Sequence, residues 1–176
     1  LKGKKIVHLY HDSAYGKEPL PVLEAEAAKW GFELVKIPIT PPGNEQQSQW
    51  LQIRQANPDY VIMWTFGVMS AVGLKTAQRN GFPRDKILGV WWAGSEEDTE
   101  PAGDAAKGFS TISFTTPGEF PLLDEIRTSL YKANKGNLKE IDRVGNVMYT
   151  RGITAAVMMV EAMRTAQDKF GKGKVI

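Results

Sequence analysis

Three residue types of a hydrolytic triad stand side by side in "HDSAYGKE", residues 11–18: His11, Asp12 and Ser13. A triad needs converging side chains, whereas consecutive residues point in different directions. The serine also lacks the G-x-S-x-G turn that exposes a nucleophile. The expected role is a polar loop after a strand, with Asp12 or Ser13 capping the next helix. A metal site at His8, His11 and Asp12 fares no better, because strand residues three apart face opposite ways and the chain has only 2 histidines. His8 reads as a strand residue within a sheet.

Other chemistry is thin. With 0 cysteines there are no thiolate nucleophiles, disulfides or cysteine-ligated metals. The glycines of "HDSAYGKE" and "TFGVMSAVG" form neither G-x-G-x-x-G nor a P-loop. "GSEEDTE" offers Glu96, Glu97, Asp98 and Glu100, which read as a solvated face or the negative first turn of a helix. An α/β hydrolase using these acids is the least favoured reading. No catalytic residue, metal or cofactor is expected.

The 176 residues are long enough for a sizeable core, and a formal net charge of +2 with scattered basic residues lacks the footprint of a nucleic-acid binder. No apolar run approaches the roughly 18 residues of a membrane span. The opening "LKGKKIV" has no initiator methionine and no signal peptide, and reads as the start of a piece of a longer chain.

The elements that must position any site alternate. "KKIVHLY", "FELVKIPIT", "DYVIMWTF" and "KILGVWW" read as strands, separated by helical stretches, two of which end at Gly31 and Gly81. Continuously apolar strands between helices predict a doubly wound parallel α/β sheet covered on both faces. "GFSTISF" adds a fifth strand. Beyond Phe114 the alternation stops. "EFPLLDEIRTSLYKANKG" reads as one helix and "RVGNVMYTRGITAAVMMVEAMRTAQDKFG" as a longer one. In the latter, Val144, Met148, Ala155, Met159, Ala162 and Ala166 form an expected core face. Ile153, Val157 and Val160 lie around the side, so this helix requires more neighbours than the chain offers. The division is 1–114, an α/β lobe, and 115–176, a helical segment.

In an open parallel sheet, ligands bind at the carboxyl ends of the strands. Those ends carry Tyr10, His11 and Tyr15, then Trp64 and Phe66, then Trp91 and Trp92. Aromatic rings beside small residues make a flat-walled cleft, with about half of them expected in the core.

"KKIVHLYHDSAYGKE", "LQIRQANPDYVIMWTFGVMSAVGLKTAQRNGF", "KILGVWWAGS" and "AAKGFSTISF" together resemble the branched-chain amino acid binding family of type I periplasmic receptors, the solute-binding proteins of ABC importers. The resemblance implies two α/β lobes around a ligand, with this chain holding mainly the second lobe. It implies further that 115–176 belong to the first lobe, and that the whole receptor is about twice as long. It implies a periplasmic location, a small-molecule ligand, an ABC permease as partner, and no catalysis. Tyr15 matches a tyrosine that such receptors point at the ligand, and the loop holding Phe66, Gly67 and Met69 matches a ligand-contacting loop. Met69 stands near a position where amino-acid binders often carry an acid, which points instead to an aromatic or aliphatic carboxylate, with branched-chain amino acids as the alternative. Trp92 would form a wall and Ser13 a polar contact. A ligand-sensing lobe of the same fold is the rival role. The surplus apolar helix surface leads us to expect homo-oligomers or helix exchange.

Overall fold

The computed structural model describes residues 1–136, 139 and 141–174. Two compact units are present, Leu1–Phe114 and Thr115–Ile176.

The first unit runs β1 (Lys5–His11), α1 (Ala14–Lys17), α2 (Leu20–Trp30), β2 (Glu33–Ile39), α3 (Gln47–Ala56), β3 (Tyr60–Trp64), α4 (Val68–Arg79), β4 (Ile87–Gly89), α5 (Glu96–Thr99) and β5 (Ser110–Thr111). All pairings are parallel and the strand order is β2-β1-β3-β4-β5. Val7 sits opposite both Val35 and Val61, and Leu9 opposite both Ile37 and Met63. These side chains join Trp50 and Ile53 of α3 and Met69 and Leu74 of α4 in one buried core. On α2 no residue is fully buried, so the helix cover is tight on one face of the sheet and looser on the other.

Local sequence sets the ends of these elements. The α2 C-cap, Gly31, has φ 69° and donates its N–H to the Ala27 carbonyl. The stretch "NPD" links α3 to β3. Asn57 takes a left-handed φ of 46°, and the Asp59 carboxylate accepts the Lys5 N–H and the Lys4 ammonium, each at 2.8 Å. The fifth strand is shorter than "GFSTISF" predicts, because β4 offers only Ile87–Gly89 for pairing.

The second unit contains α6 (Pro121–Ile126), which passes into a wider π turn over Arg127–Tyr131, and α7 (Val147–Phe170). Arg127 donates to both Glu119 oxygens, at 2.5 and 2.9 Å, and to the Val144 carbonyl at 2.6 Å. Leu123, Val144, Val147 and Thr150 are buried. Of the expected core face of the long helix, Val144 is buried, whereas Met148, Ala155, Met159 and Ala162 are exposed. Met159 is 64% exposed, and Met148, Val157, Met158, Val160 and Met163 are exposed as well. The sequence pattern is that of a buried helix, and among the described residues only its first turn is buried.

His8 lies in the middle of β1 and is completely buried. Its Nε2 lies 3.1 Å from the Gly16 carbonyl, which selects the tautomer protonated there. Its ring stacks on Tyr10, with centroids 4.9 Å apart. Burial holds its pKa below the ordinary value, with the bond to Gly16 opposing. The folded chain therefore binds fewer protons here than the unfolded chain. The His8 contribution to stability is full above the ordinary histidine pKa of about 6.5 and is lost as the pH falls below it. Urea midpoints should thus drop between pH 7.5 and 5.5, and His8→Gln should flatten that slope. An identical slope in the variant would contradict this assignment.

Candidate functional site

The strand order reverses between β1 and β3, which places the crevice of the fold at their carboxyl ends. Tyr10 pairs with Trp64 at that edge, so the loops after the two strands leave side by side. Tyr15 on α1, Phe66 after β3 and Trp92 after β4 line one open cavity of about 340 Å³. Its lining is almost wholly apolar.

The rings brace one another. Tyr15 meets Phe66 edge-on, with centroids 5.7 Å apart, and lies 6.2 Å from Trp64. His11 stacks on Phe66 at 5.3 Å. Trp92 stacks on Trp91 at 4.1 Å, and Trp91 meets Phe114 edge-on at 5.1 Å. Offset and edge-on contacts of this kind add to the energy of area burial and restrict ring rotation.

Two glycines make the geometry feasible. Gly16 lies so close to the end of β1 that a Cβ would stand 1.8 Å from the His11 carbonyl oxygen. This close approach folds α1 back over the strand and delivers Tyr15 to the crevice. Gly67 has φ 58° and ψ −139°, a conformation that L side chains rarely adopt, and it turns the chain from Phe66 into α4.

The predicted site residues separate into groups. Tyr15, Phe66 and Trp92 share the cavity. The Tyr15 hydroxyl is buried without a partner among the described residues, so the cavity sees its ring rather than its oxygen. Burial, then the negative charges of Asp98 and Glu18, raise its pKa well above the ordinary value. Gly67 is the tight backbone turn of the adjoining loop. The Ser13 hydroxyl lies 2.8 Å from His11 Nδ1 and is spent locally. Met69 is not a lining residue. It is 2% exposed and packs in the core, since the first turn of α4 points it inward at the sheet. Asp12 pairs with Lys17 at 2.6 Å, away from His11, so the three triad-type residues do not assemble.

One residue was missed. Asp98 is 4% exposed, and its Oδ2 accepts the Ser95 hydroxyl at 2.6 Å and the Ser95 N–H at 3.3 Å. Its Oδ1 accepts the Gly67 N–H. Burial raises the Asp98 pKa, these hydrogen bonds oppose the rise, and the charge of Glu97 adds to it. The Ser95-x-x-Asp98 spacing of a capping box was the available signal. With both oxygens engaged, Asp98 is already committed to protein groups.

A larger cavity, about 600 Å³, lies where Arg54, Asn57, Arg79 and Lys86 gather beyond the ends of α3 and α4. Size alone does not favour it. Exposed arginines in the last turn of each helix complement the helix dipole. Among the described residues no group of His, Asp and Glu could hold a metal ion, and no helix is long and apolar enough to cross a membrane.

A doubly wound α/β unit with an apolar, ring-lined crevice at its switch point defines a ligand-binding lobe. The chain belongs to the periplasmic binding protein family, whose description matches residues 1–175. It is 50% identical to a Pseudomonas fluorescens group protein described as an ABC transporter permease, with a TM-score of 0.88. That match covers 98% of this chain and 42% of the other. It is 29% identical to a branched-chain amino acid ABC transporter protein of Thermus thermophilus with bound valine, at a TM-score of 0.78, covering 96% of this chain and 44% of that one. A Rhodopseudomonas palustris solute-binding protein in complex with benzoate shares the fold at 23% identity and a TM-score of 0.64, over 86% and 40% of the two chains. The chain therefore spans less than half the length of these relatives. No curated protein matches it.

The Gly16 contact yields a direct expectation. Gly16→Ala forces a Cβ into the His11 backbone and should cost about 2–3 kcal/mol of unfolding free energy, the upper range for overpacking. Denaturant titration measures it, and a loss below about 0.5 kcal/mol would contradict the close approach.

Proposed function

We propose that this chain forms one wall of the ligand cleft of an extracytoplasmic solute-binding receptor that delivers a small organic molecule to an ABC permease. The observation that carries this reading is the cavity of Tyr15, Phe66 and Trp92 at the sheet's switch point. Residues 1–114 act as the second lobe. The apolar face of α7 docks against the first lobe, which accounts for exposed methionines on a helix patterned for burial.

Hinge closure follows from this arrangement. A ligand touching both lobes stabilises the closed state by its differential contacts, and the permease distinguishes closed from open. Tyr15, Phe66 and Trp92 hold the apolar body of the ligand. The lining of Tyr15, Phe66 and Trp92 carries no carboxylate and Asp98 is engaged elsewhere, so these three rings offer a ligand ammonium no counter-charge, and a buried unpaired charge is costly. The favoured ligand is an aromatic or branched aliphatic carboxylate, its charged end held by the opposite lobe.

Calorimetry with benzoate, phenylacetate and L-valine on the two-lobed receptor and on this chain tests the proposal. The receptor should bind at least one of them with micromolar affinity or tighter, and this chain at least a hundredfold more weakly. Phe66→Ala should weaken receptor binding by about tenfold to a hundredfold, roughly 1.5–3 kcal/mol for one buried ring. Equal affinity in the single chain would contradict the one-wall account. Light scattering should show this chain self-associating at high concentration through α7, and a strictly monomeric species would count against an uncovered face.

A further inference from the structure

The aromatic cavity is assembled from two loops that no strand pairing holds together at its mouth. Phe66 ends the β3 loop, whereas Trp92 belongs to the 3-10 turn Trp91–Ala93 beyond β4. The two strands pair only as far as Met63 with Gly89, and the Val90 N–H adds one bond to the Met63 carbonyl at 3.0 Å. Beyond that point the separation of the loops must be fixed by something else.

Resting on the cleft described above, we propose that Asp98 is a positioning residue for ligand capture: its buried carboxylate clips the Gly67 backbone to Ser95 and so sets the distance between the walls made by Phe66 and Trp92. Each half of the clip lies one to three residues from a wall. Gly67 follows Phe66 directly, and Ser95 follows the turn that carries Trp92. The clip spans 31 positions in sequence through a side chain nearly free of solvent. Its two oxygens serve the two loops separately, Oδ1 taking Gly67 and Oδ2 taking both Ser95 donors.

A capping role alone does not explain this arrangement. The box within α5 needs only that the Ser95 hydroxyl accept the Asp98 N–H and that the Asp98 carboxylate accept the Ser95 N–H, and Asp98 could satisfy it while exposed. Instead it is buried against the α4 N-terminus, where the Gly67 N–H is one of the donors that a helix leaves without an internal partner. On the other side of that turn the loop is held again, with Thr65 Oγ1 2.9 Å from Ser70 Oγ and the Ser70 N–H donating to the Gly67 carbonyl at 3.0 Å. Phe66 therefore rides on a loop pinned at both ends, and Asp98 is the pin that reaches across to the Trp92 turn. Misplacing a wall of a binding site by even an ångström loses contact energy, so the clip acts on affinity without touching ligand.

The test compares Asp98→Ala and Asp98→Asn with the unaltered two-lobed receptor. Asparagine keeps an acceptor oxygen for the Gly67 N–H and can donate its amide N–H to the Ser95 hydroxyl oxygen, so the bridge between the loops persists with only the bond from the Ser95 N–H lost, whereas alanine retains neither half. Alanine should accelerate hydrogen exchange at the Gly67 amide by at least tenfold, alter the near-ultraviolet circular dichroism of the stacked Trp91–Trp92 pair, and weaken benzoate or L-valine binding by at least tenfold. Asparagine should hold all three within about threefold of the unaltered protein, even if both variants lower the melting temperature alike. Affinity that follows melting temperature rather than Gly67 exchange would reduce Asp98 to a stability residue and overturn the proposal. Unchanged Gly67 exchange in the alanine variant would overturn it too. If the unaltered receptor binds neither probe, the ligand reading fails by itself, and exchange with circular dichroism still decides the clip: change in alanine with recovery in asparagine upholds it, and no change overturns it.

Discussion

The lateral pairing of β1 with β3 is the constraint on which the rest of the larger unit depends. These strands are adjacent in space but separated in sequence by two helices, a strand and a third helix. Their parallel register, Ile6 with Tyr60 through Tyr10 with Trp64, makes both chains leave the sheet at the same edge. The aromatic rings that follow are therefore neighbours without being neighbours in sequence. The pairing is held at its start by Asp59, which ties Lys4 and Lys5 to the head of β3. It is held along its length by a core in which Val7, Leu9, Val61 and Met63 are fully buried.

Built on that edge, the crevice has a division of labour between ring and backbone. The rings supply surface, and glycine supplies the paths that bring rings to the surface. Gly16 allows α1 to lie on the His11 backbone, and Gly67 permits the reversal after Phe66. The polar groups near the crevice are turned inward: Ser13 to His11, Asp98 to Ser95 and Gly67, His8 to Gly16. An apolar wall with its polarity facing the protein offers shape and area rather than charge to whatever meets it.

Much of this was legible in the sequence. Apolar runs separated by glycine-ended helices define the parallel sheet, and the rule for carboxyl ends locates Tyr15, Phe66 and Trp92. In "FGVMS" the fourth residue, Met69, can belong to a loop or to the first turn of a helix, and the sequence alone does not separate the two. In the helix it points inward at Ile39 and Gly43. Asp98 belongs to a run of acids that reads as a solvated face or the negative first turn of a helix; the first turn is what forms, and only the fold brings one member of that run against Gly67, 31 residues earlier. The long helix of the second unit reads from sequence as apolar around its middle, and that middle is exposed in the structure, with Val157, Met158, Met159 and Val160 open to solvent.

The central claim is that this lobe holds the apolar body of a ligand while a second lobe holds its charged end. A crystal structure of the two-lobed receptor with an aromatic or branched aliphatic carboxylate bound tests that most directly. The account predicts the ring or branched chain packed against Tyr15, Phe66 and Trp92, and the carboxylate bonded to residues outside this chain. A ligand seated away from those three rings, or one whose charged group is held by side chains of residues 1–114, would contradict it.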